Sequence, residues 1–183
     1  MKAIDVLNRD HELILRALEL LDGFTDRMAR GEQVASVHAG ELVSILQSFG
    51  ERCHHGKEEQ SLFPMLEAHG IRRRGGPIGQ MLEEHDRARK YLTEMADACA
   101  CIERSADSRA RFACGARAYS EVMHAHITRE TEVLFAIAEA VLDTKDDEKL
   151  VRAFELREHD ILGPGEHQRL ETRLQALAHR WAA

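Results

Sequence analysis

The stretch HHGKEEQSLFP at residues 54–64 returns about seventy residues later, in weaker form, as HITRETEVLFA at residues 126–136. The two stretches align without gaps and share the pattern His-x-x-x-Glu. Its four residues are His54, Glu58, His126 and Glu130. Residues four apart lie on one face of an α-helix, about 5–6 Å apart at Cβ, so this imidazole and carboxylate can reach one metal ion or two adjacent ions. The two copies therefore indicate a helical bundle with internal pseudo-twofold symmetry and a metal site at its centre.

The rest of the chain is also predicted to be helical. Ala, Leu, Glu and Arg, which favour helices, dominate the 183 residues, and no run of alternating β-branched residues indicates a strand. Apolar residues at three- and four-residue spacing, with glycine and proline breaks, predict six helices. Their approximate bounds are 3–30, 36–69, 77–104, 109–142, 148–160 and 165–181.

Four long helices with short connections predict an all-α, up-down-up-down four-helix bundle. The bundle is assigned to residues 1–143. The last two helices, in residues 144–183, are expected to form a C-terminal helical extension packed on the outside of the bundle. A chain of this length is sufficient for one domain with a substantial core, so both parts are assigned to the same domain.

Charge and hydropathy argue against several classes of protein. The formal net charge of −7 argues against a nucleic-acid partner, which would require clustered positive charge. No uncharged run approaches the roughly 20 residues that span a bilayer. The N-terminus enters a charged amphipathic helix directly, without the pattern of a signal peptide. We therefore expect a cytoplasmic protein that binds neither nucleic acid nor a membrane, and the sequence leaves its oligomeric state open.

Counting residues along the helices places six polar side chains at one level of the bundle. His11 lies about 18 residues before the first predicted turn and His54 about 18 after it, roughly 27 Å along each helix. His85 and His126 flank the third turn in the same way. A single buried histidine is more often a satisfied core residue, but four histidines with two glutamates at one level are strongly unfavourable without metal. The predicted ligands are His11, His54, Glu58, His85, His126 and Glu130.

The ligand types indicate which metal is bound. Imidazole and carboxylate without thiolate suit iron or manganese, and zinc is the alternative. Six side chains exceed the four that a structural zinc ion takes, so two ions are expected, with the carboxylates able to bridge them. His55 and Glu59 form a second His-x-x-x-Glu in the same stretch and are the alternative ligands. We prefer His54 and Glu58 because the gapless repeat aligns them with the pair in the fourth helix.

These residues resemble the hemerythrin-like family, specifically its HHE cation-binding domains, over about residues 5–142. The resemblance rests on a histidine in helix one, His-x-x-x-Glu with Leu-Phe-Pro in helix two, Glu-His in helix three, and His-x-x-x-Glu with Leu-Phe in helix four. It implies a four-helix bundle that holds a non-haem di-iron centre, bridged by two carboxylates and an oxo or hydroxo group. The ligands that it implies are the six residues named above.

One position departs from the oxygen-carrying members of that family. They have a second histidine four residues after the one in helix three, and here that residue is Arg89. A five-histidine oxygen carrier is therefore not expected. The site resembles the four-histidine, two-glutamate pattern of the broader family, in which open positions take water or a small ligand. His55, His124 or His167 could fill such a position.

Two classes of function follow from this resemblance. The first is a protein that binds or senses dioxygen, nitric oxide, peroxide or iron. The alternative is an enzyme that turns over peroxide or nitric oxide, or a donor of iron for iron–sulfur cluster repair. Because no dedicated substrate-binding motif is visible in the sequence, binding or sensing is the preferred interpretation.

Overall fold

The computed structural model describes residues 1–182, and over this range it contains helices and no strand. Four helices are single elements: α1 (Lys2–Ala29), α3 (Pro77–Cys99), α5 (Thr144–Ile161) and α6 (Glu166–Ala182). Helix α2, residues 36–68, contains the consecutive segments Ser36–Ile45, Leu46–His55, Glu58–Leu62 and Phe63–Ala68. Helix α4, residues 106–141, contains Ala106–Arg129, Glu130–Leu134 and Phe135–Val141. The predicted all-α bundle with a C-terminal helical extension is confirmed.

The breaks between these helices have local causes in the sequence. Ser105 caps α4 by accepting a hydrogen bond from the Ser108 N–H at 3.1 Å. Asp143 caps α5 in a capping box with Asp146. Both helices begin a few residues earlier than predicted, because these caps bring the polar residues that follow them into the first turn. Gly31 adopts a φ of 78° directly after α1, a conformation that favours glycine.

The interior of the bundle consists of two apolar clusters with a polar layer between them. The larger cluster includes Leu18, Phe49, Leu92 and Phe112. The smaller cluster includes Leu7, Phe63, Met81 and Phe135. The polar layer is formed where each of the four helices passes from one cluster to the other, and it contains the predicted ligands. Apolar burial above and below this layer stabilises the bundle and separates the polar side chains from water.

Helices α5 and α6 pack against the outside of α1 and α2. Glu158 of α5 accepts a hydrogen bond from Lys57 of α2 at 3.0 Å. Glu171 of α6 accepts one from Arg16 of α1 at 2.9 Å. That residues 1–143 and 144–183 belong to the same domain stays a prediction. In the described part of the chain, no helix is both long enough and apolar enough to cross a bilayer.

Candidate metal centre

Seven buried side chains converge in the polar layer and form two overlapping groups. Within each group, one nitrogen or oxygen atom of every residue lies within 4.8 Å of the others. The first group is His55, Glu58, His85 and His126. The second group is His11, His54, Glu58 and Glu130. The structure therefore brings together all six residues predicted from the sequence, adds His55, and places Glu58 in both groups.

Glu58 joins the two groups through its two carboxylate oxygens. Oε1 lies 3.2 Å from His54 Nε2, and Oε2 lies 3.2 Å from His85 Nε2. Glu58 begins the turn Glu58–Leu62, which is π-helical: its backbone hydrogen bonds span five residues rather than four. Such turns inside α-helices are frequent at functional sites. Each oxygen of Glu58 thus faces a different group.

Glu130 repeats this local structure in α4. It begins the π-helical turn Glu130–Leu134. Its Oε2 lies 3.0 Å from His11 Nε2 on α1 and 3.6 Å from His126 Nε2 on its own helix. Glu130 therefore also contacts a histidine of each group. The internal repeat that the sequence predicts is present in the backbone as well as in the side chains.

His54 and His55 are consecutive in α2, yet both face the polar layer. Consecutive side chains of an α-helix point about 100° apart, which would direct one of them away. Here the segment Leu46–His55 is π-helical, and it ends directly after the two histidines. His54 belongs to one group and His55 to the other. The ring of His55 stacks on that of His85, with the centroids 3.7 Å apart.

In the second His-x-x-x-Glu pattern, His55 belongs to one of the two groups of side chains but Glu59 does not. Glu59 lies outside both groups and contacts His85 Nδ1 at 2.7 Å. Arg89 Nη1 donates to Glu59 at 3.0 Å and to Glu51 at 2.5 Å. Glu51 in turn contacts His55 Nδ1 at 2.9 Å. Arg89, the departure noted in the sequence, thus links the two carboxylates that hold His55 and His85.

His54 and His126 are held by an equivalent pair of carboxylates. Asp10 Oδ2 lies 3.3 Å from His54 Nδ1, and Glu84 Oε2 lies 3.1 Å from His126 Nδ1. Carboxylates in this position fix the orientation and tautomer of a metal-binding imidazole. The other nitrogen, Nε2, is then directed at the centre of the layer.

Sequence reasoning missed these carboxylates and the cations that accompany them. Lys57 Nζ lies 2.9 Å from Asp10, and Arg129 Nη2 lies 2.6 Å from Glu84. The internal repeat could have identified all four residues. Each acid directly precedes the candidate histidine of its helix, and each base directly precedes the candidate glutamate.

The phenylalanine of each Leu-Phe motif covers a histidine of the other half of the bundle. Phe63 of α2 stacks on His85 of α3 with the centroids 5.8 Å apart. Phe135 of α4 stacks on His11 of α1 at 5.6 Å. Both phenylalanines belong to the smaller apolar cluster, so they close one side of the polar layer. This packing gives the phenylalanine that follows each His-x-x-x-Glu a role beside the polar layer.

Several polar atoms of the centre have no hydrogen-bond partner among the described residues. They are Nε2 of His54, Nε2 of His55, both carboxylate oxygens of Glu58, and Oε1 of Glu130. Buried polar atoms are normally paired, so a convergent set of unpaired ones requires an explanation such as a bound ion. Imidazole nitrogens and carboxylate oxygens are donors that iron, manganese and zinc accept. The residues therefore fit a metal centre.

Burial determines the protonation states of these groups. It lowers the pKa of His54 to about 4 and lowers the pKa of His55 and His85 below the ordinary value. Burial, followed by the neighbouring Glu130, raises the pKa of Glu58 well above its usual range. In the metal-free protein the imidazoles of His54, His55 and His85 are therefore neutral, which is the form that binds metal, and Glu58 keeps a proton that a metal ion would displace.

The other six histidines of the chain lie outside the two groups. His124 is exposed, and His69 lies 2.9 Å from Asp146. His167 forms a separate, partly exposed group with Asp10 and Glu158. The Lys57 ammonium already neutralises the carboxylates of that group. Among the described histidines, His55 is the one that joins the predicted set.

The fold and the buried donor set define a helical-bundle metal-binding protein. Comparison with known families agrees: the model described as "Hemerythrin HHE cation binding domain" matches residues 2–138. The chain belongs to this family, and the resemblance seen in its motifs is confirmed.

Curated relatives extend the comparison. The chain is 31% identical over 122 residues to "Iron-sulfur cluster repair protein DnrN" of Neisseria gonorrhoeae, covering 62% of this chain and 78% of the relative. It is 26% identical over 159 residues to an uncharacterized protein of Mycobacterium tuberculosis, covering 86% of this chain. The matched region spans 61% of that mycobacterial protein. No solved structure matches the chain.

Proposed function

We propose that this chain is a non-haem di-iron protein whose centre binds or senses a small ligand such as dioxygen, nitric oxide or peroxide. The observation that carries the proposal is the position of Glu58 between the two groups. One of its oxygens faces His54 and the other faces His85, and neither oxygen has a hydrogen-bond partner among the described residues. A single mononuclear site would not require a buried carboxylate with both oxygens directed at separate imidazoles.

The donor set divides into one site for each ion. His55, His85 and His126 would hold one ion, and His11 and His54 the other. Glu58 and Glu130 would be shared between them. Bound iron would supply a reversible change of oxidation state and open coordination positions for the small ligand. The protein supplies the imidazoles, fixes the orientation of four of them through the outer carboxylates, and covers two of them with stacked phenylalanine rings.

A second candidate function is the supply of iron for iron–sulfur cluster repair. It is supported by the similarity to the Neisseria gonorrhoeae protein, whose name describes that role. The same centre would then hold iron as cargo that leaves the protein. In that case the residues around the centre should permit release of iron to an acceptor under reducing conditions.

Metal analysis of protein purified without chelators tests the dinuclear centre. We expect about two iron ions per chain and near-ultraviolet absorption from the oxidised protein. His55→Ala should lower the iron content, whereas the matched His124→Ala, which removes an exposed histidine of α4, should leave it unchanged. One ion per chain in the unaltered protein, or equal iron contents in the two variants, would contradict the assignment.

The two candidate functions differ in what happens to the iron. A binding or sensing protein should change its absorption spectrum reversibly with nitric oxide or dioxygen and keep both ions. An iron donor should transfer its iron to an iron–sulfur protein whose cluster has been removed, in the presence of cysteine and a reductant. Retention of iron during this incubation, together with reversible spectral changes, would favour binding or sensing.

A further inference from the structure

The end of the π-helical segment of α2 leaves one backbone carbonyl for a partner outside the helix. Beyond His55, the backbone N–H groups bond to the carbonyls of Cys53 and His54. In the segment before this point the hydrogen bonds span five residues instead of four. Where a helix changes from π-helical to α-helical hydrogen bonding, one backbone carbonyl accepts no hydrogen bond from an N–H group of the helix. The carbonyl directly before these acceptors is that of Arg52.

Arg157 of α5 binds the Arg52 carbonyl oxygen with two hydrogen bonds. Its Nε lies at 2.9 Å and its Nη2 at 2.5 Å from that oxygen. The remaining arm of the guanidinium, Nη1, donates to the side-chain oxygen of Gln60 at 2.5 Å, about two turns further along α2. A rigid guanidinium fork with three donors thus spans the point where the helix changes its register.

Gly56 provides the space that this contact needs. A Cβ atom at Gly56 would overlap the guanidinium of Arg157, whose atoms are the three nearest to that position. The φ of Gly56 is −69°, which is ordinary helical backbone. The glycine is therefore required by the close approach of Arg157 and not by its own conformation.

We infer that Arg157 is a positioning residue for the metal centre. By satisfying the Arg52 carbonyl, it stabilises the helical register in which His54 and His55 both face the polar layer. Its hydrogen bonds go to the Arg52 carbonyl and the Gln60 side chain and not to the proposed ligands, so it acts through the backbone of α2. The inference rests on the proposed function, since it assigns to the C-terminal extension a part in shaping the dinuclear site.

The equivalent region of α4 shows what the extra π-helical segment changes. There the chain remains α-helical over Ala106–Arg129, directly before the turn that begins at Glu130. The residue that aligns with His55 is Ile127, which lies in the larger apolar cluster. Helix α4 thus provides one imidazole to the centre, whereas α2 provides two. The additional ligand depends on the register that Arg157 holds.

The test compares Arg157→Ala with Arg173→Ala, a matched arginine of α6 that contacts Glu41 of α2 through its side chain at 3.4 Å. In the iron-loaded protein, Arg157→Ala should retain about one iron ion instead of two and should change the near-ultraviolet spectrum. Arg173→Ala should retain both ions. In the iron-free protein, amide hydrogen exchange over residues 46–60 should accelerate in Arg157→Ala and not in Arg173→Ala.

Gly56→Ala provides a second route to the same result, because it displaces Arg157 without removing it. It should lose iron as Arg157→Ala does, and the double variant should be no worse than Arg157→Ala, since both changes act on one contact. Two ions with an unchanged spectrum and unchanged exchange in Arg157→Ala would overturn the inference and leave the proposed function intact. If the unaltered protein fails to bind two ions, the proposed function is wrong, and amide exchange in the iron-free protein still decides whether Arg157 holds the register.

Discussion

The two halves of the metal centre are built from equivalent parts, but their surroundings differ. In each half a carboxylate holds a candidate histidine and pairs with a cation: Asp10 with Lys57 between α1 and α2, and Glu84 with Arg129 between α3 and α4. The Asp10–Lys57 pair is fully buried beneath the C-terminal helices. The Arg129 side chain is 38% exposed, so water reaches the second pair. The same arrangement therefore depends on neighbouring residues in one half and on solvent in the other.

The half that contains the Asp10–Lys57 pair, called the buried half below, has additional partners from the C-terminal helices. Glu158 of α5 faces the Lys57 ammonium, and His167 of α6 lies 3.1 Å from Asp10 Oδ1. Burial by itself would raise the pKa of Asp10, but hydrogen bonds from His167 and His54 and the charge of Lys57 hold it well below the usual range. A charge removed from water needs such compensation, because an unpaired buried ion is strongly destabilising. The extension thus stabilises charges that the four-helix bundle does not compensate alone.

The largest effect is expected at the residue that the two halves share. Glu58→Ala removes the carboxylate that faces both groups, so it should abolish binding of both iron ions. The neighbouring Glu59→Ala removes only an outer partner of His85 and should retain most of the iron. Metal analysis and thermal melting of both variants measure the difference. If Glu59→Ala empties the centre while Glu58→Ala leaves it full, the assignment of ligands in α2 is wrong.

The next largest effect is expected on the stability of the iron-free protein, when the two acid–base pairs are altered in turn. Asp10→Asn leaves the Lys57 ammonium buried with Glu158 as its remaining acidic partner, and should lower the free energy of unfolding by about 3 kcal/mol. Glu84→Gln affects a pair that water reaches, and should lower it by less than about 1 kcal/mol. Urea denaturation of both variants tests the difference. Equal losses would show that the C-terminal helices do not make the two halves different.

The smallest effect is a pH dependence confined to the buried half. Hydrogen bonds to Asp10 and then Glu158 raise the pKa of His167 to about 9, above the 6.5 of an unperturbed histidine. A raised pKa stabilises the fold below pH 6.5, and this stabilisation is lost as the pH rises through about 9. His167→Gln should therefore lower the Tm of the iron-free protein by about 2–4 °C at pH 6 and by much less at pH 10. The exposed His159→Gln is the control, and a pH-independent difference for His167→Gln would contradict the prediction.

Much of this protein could be predicted from the sequence alone. The His-x-x-x-Glu repeat, the apolar spacing and the positions of the turns determined the all-α bundle and the level at which the six predicted ligands meet. These features depend on the regular geometry of the helix, in which sequence spacing fixes both the face and the height of a side chain. The Asp-His and Glu-His pairs at Asp10 and Glu84 carried a readable signal too, because they repeat with the ligands.

Two features depended on contacts between residues distant in the sequence. The approach of His55 to the centre follows from a change of helical register, and Arg157, about a hundred residues later, satisfies the carbonyl at that change. The complete burial of Lys57 follows from the packing of α5 and α6 over it. Helical periodicity assumes the same number of residues in every turn, so it does not predict a local π-helical turn. It also carries no information on what packs against the outside of the bundle, so it does not predict which face a later helix covers. Only the tertiary structure decided these, because packing between helices selects a backbone register that local spacing alone does not determine.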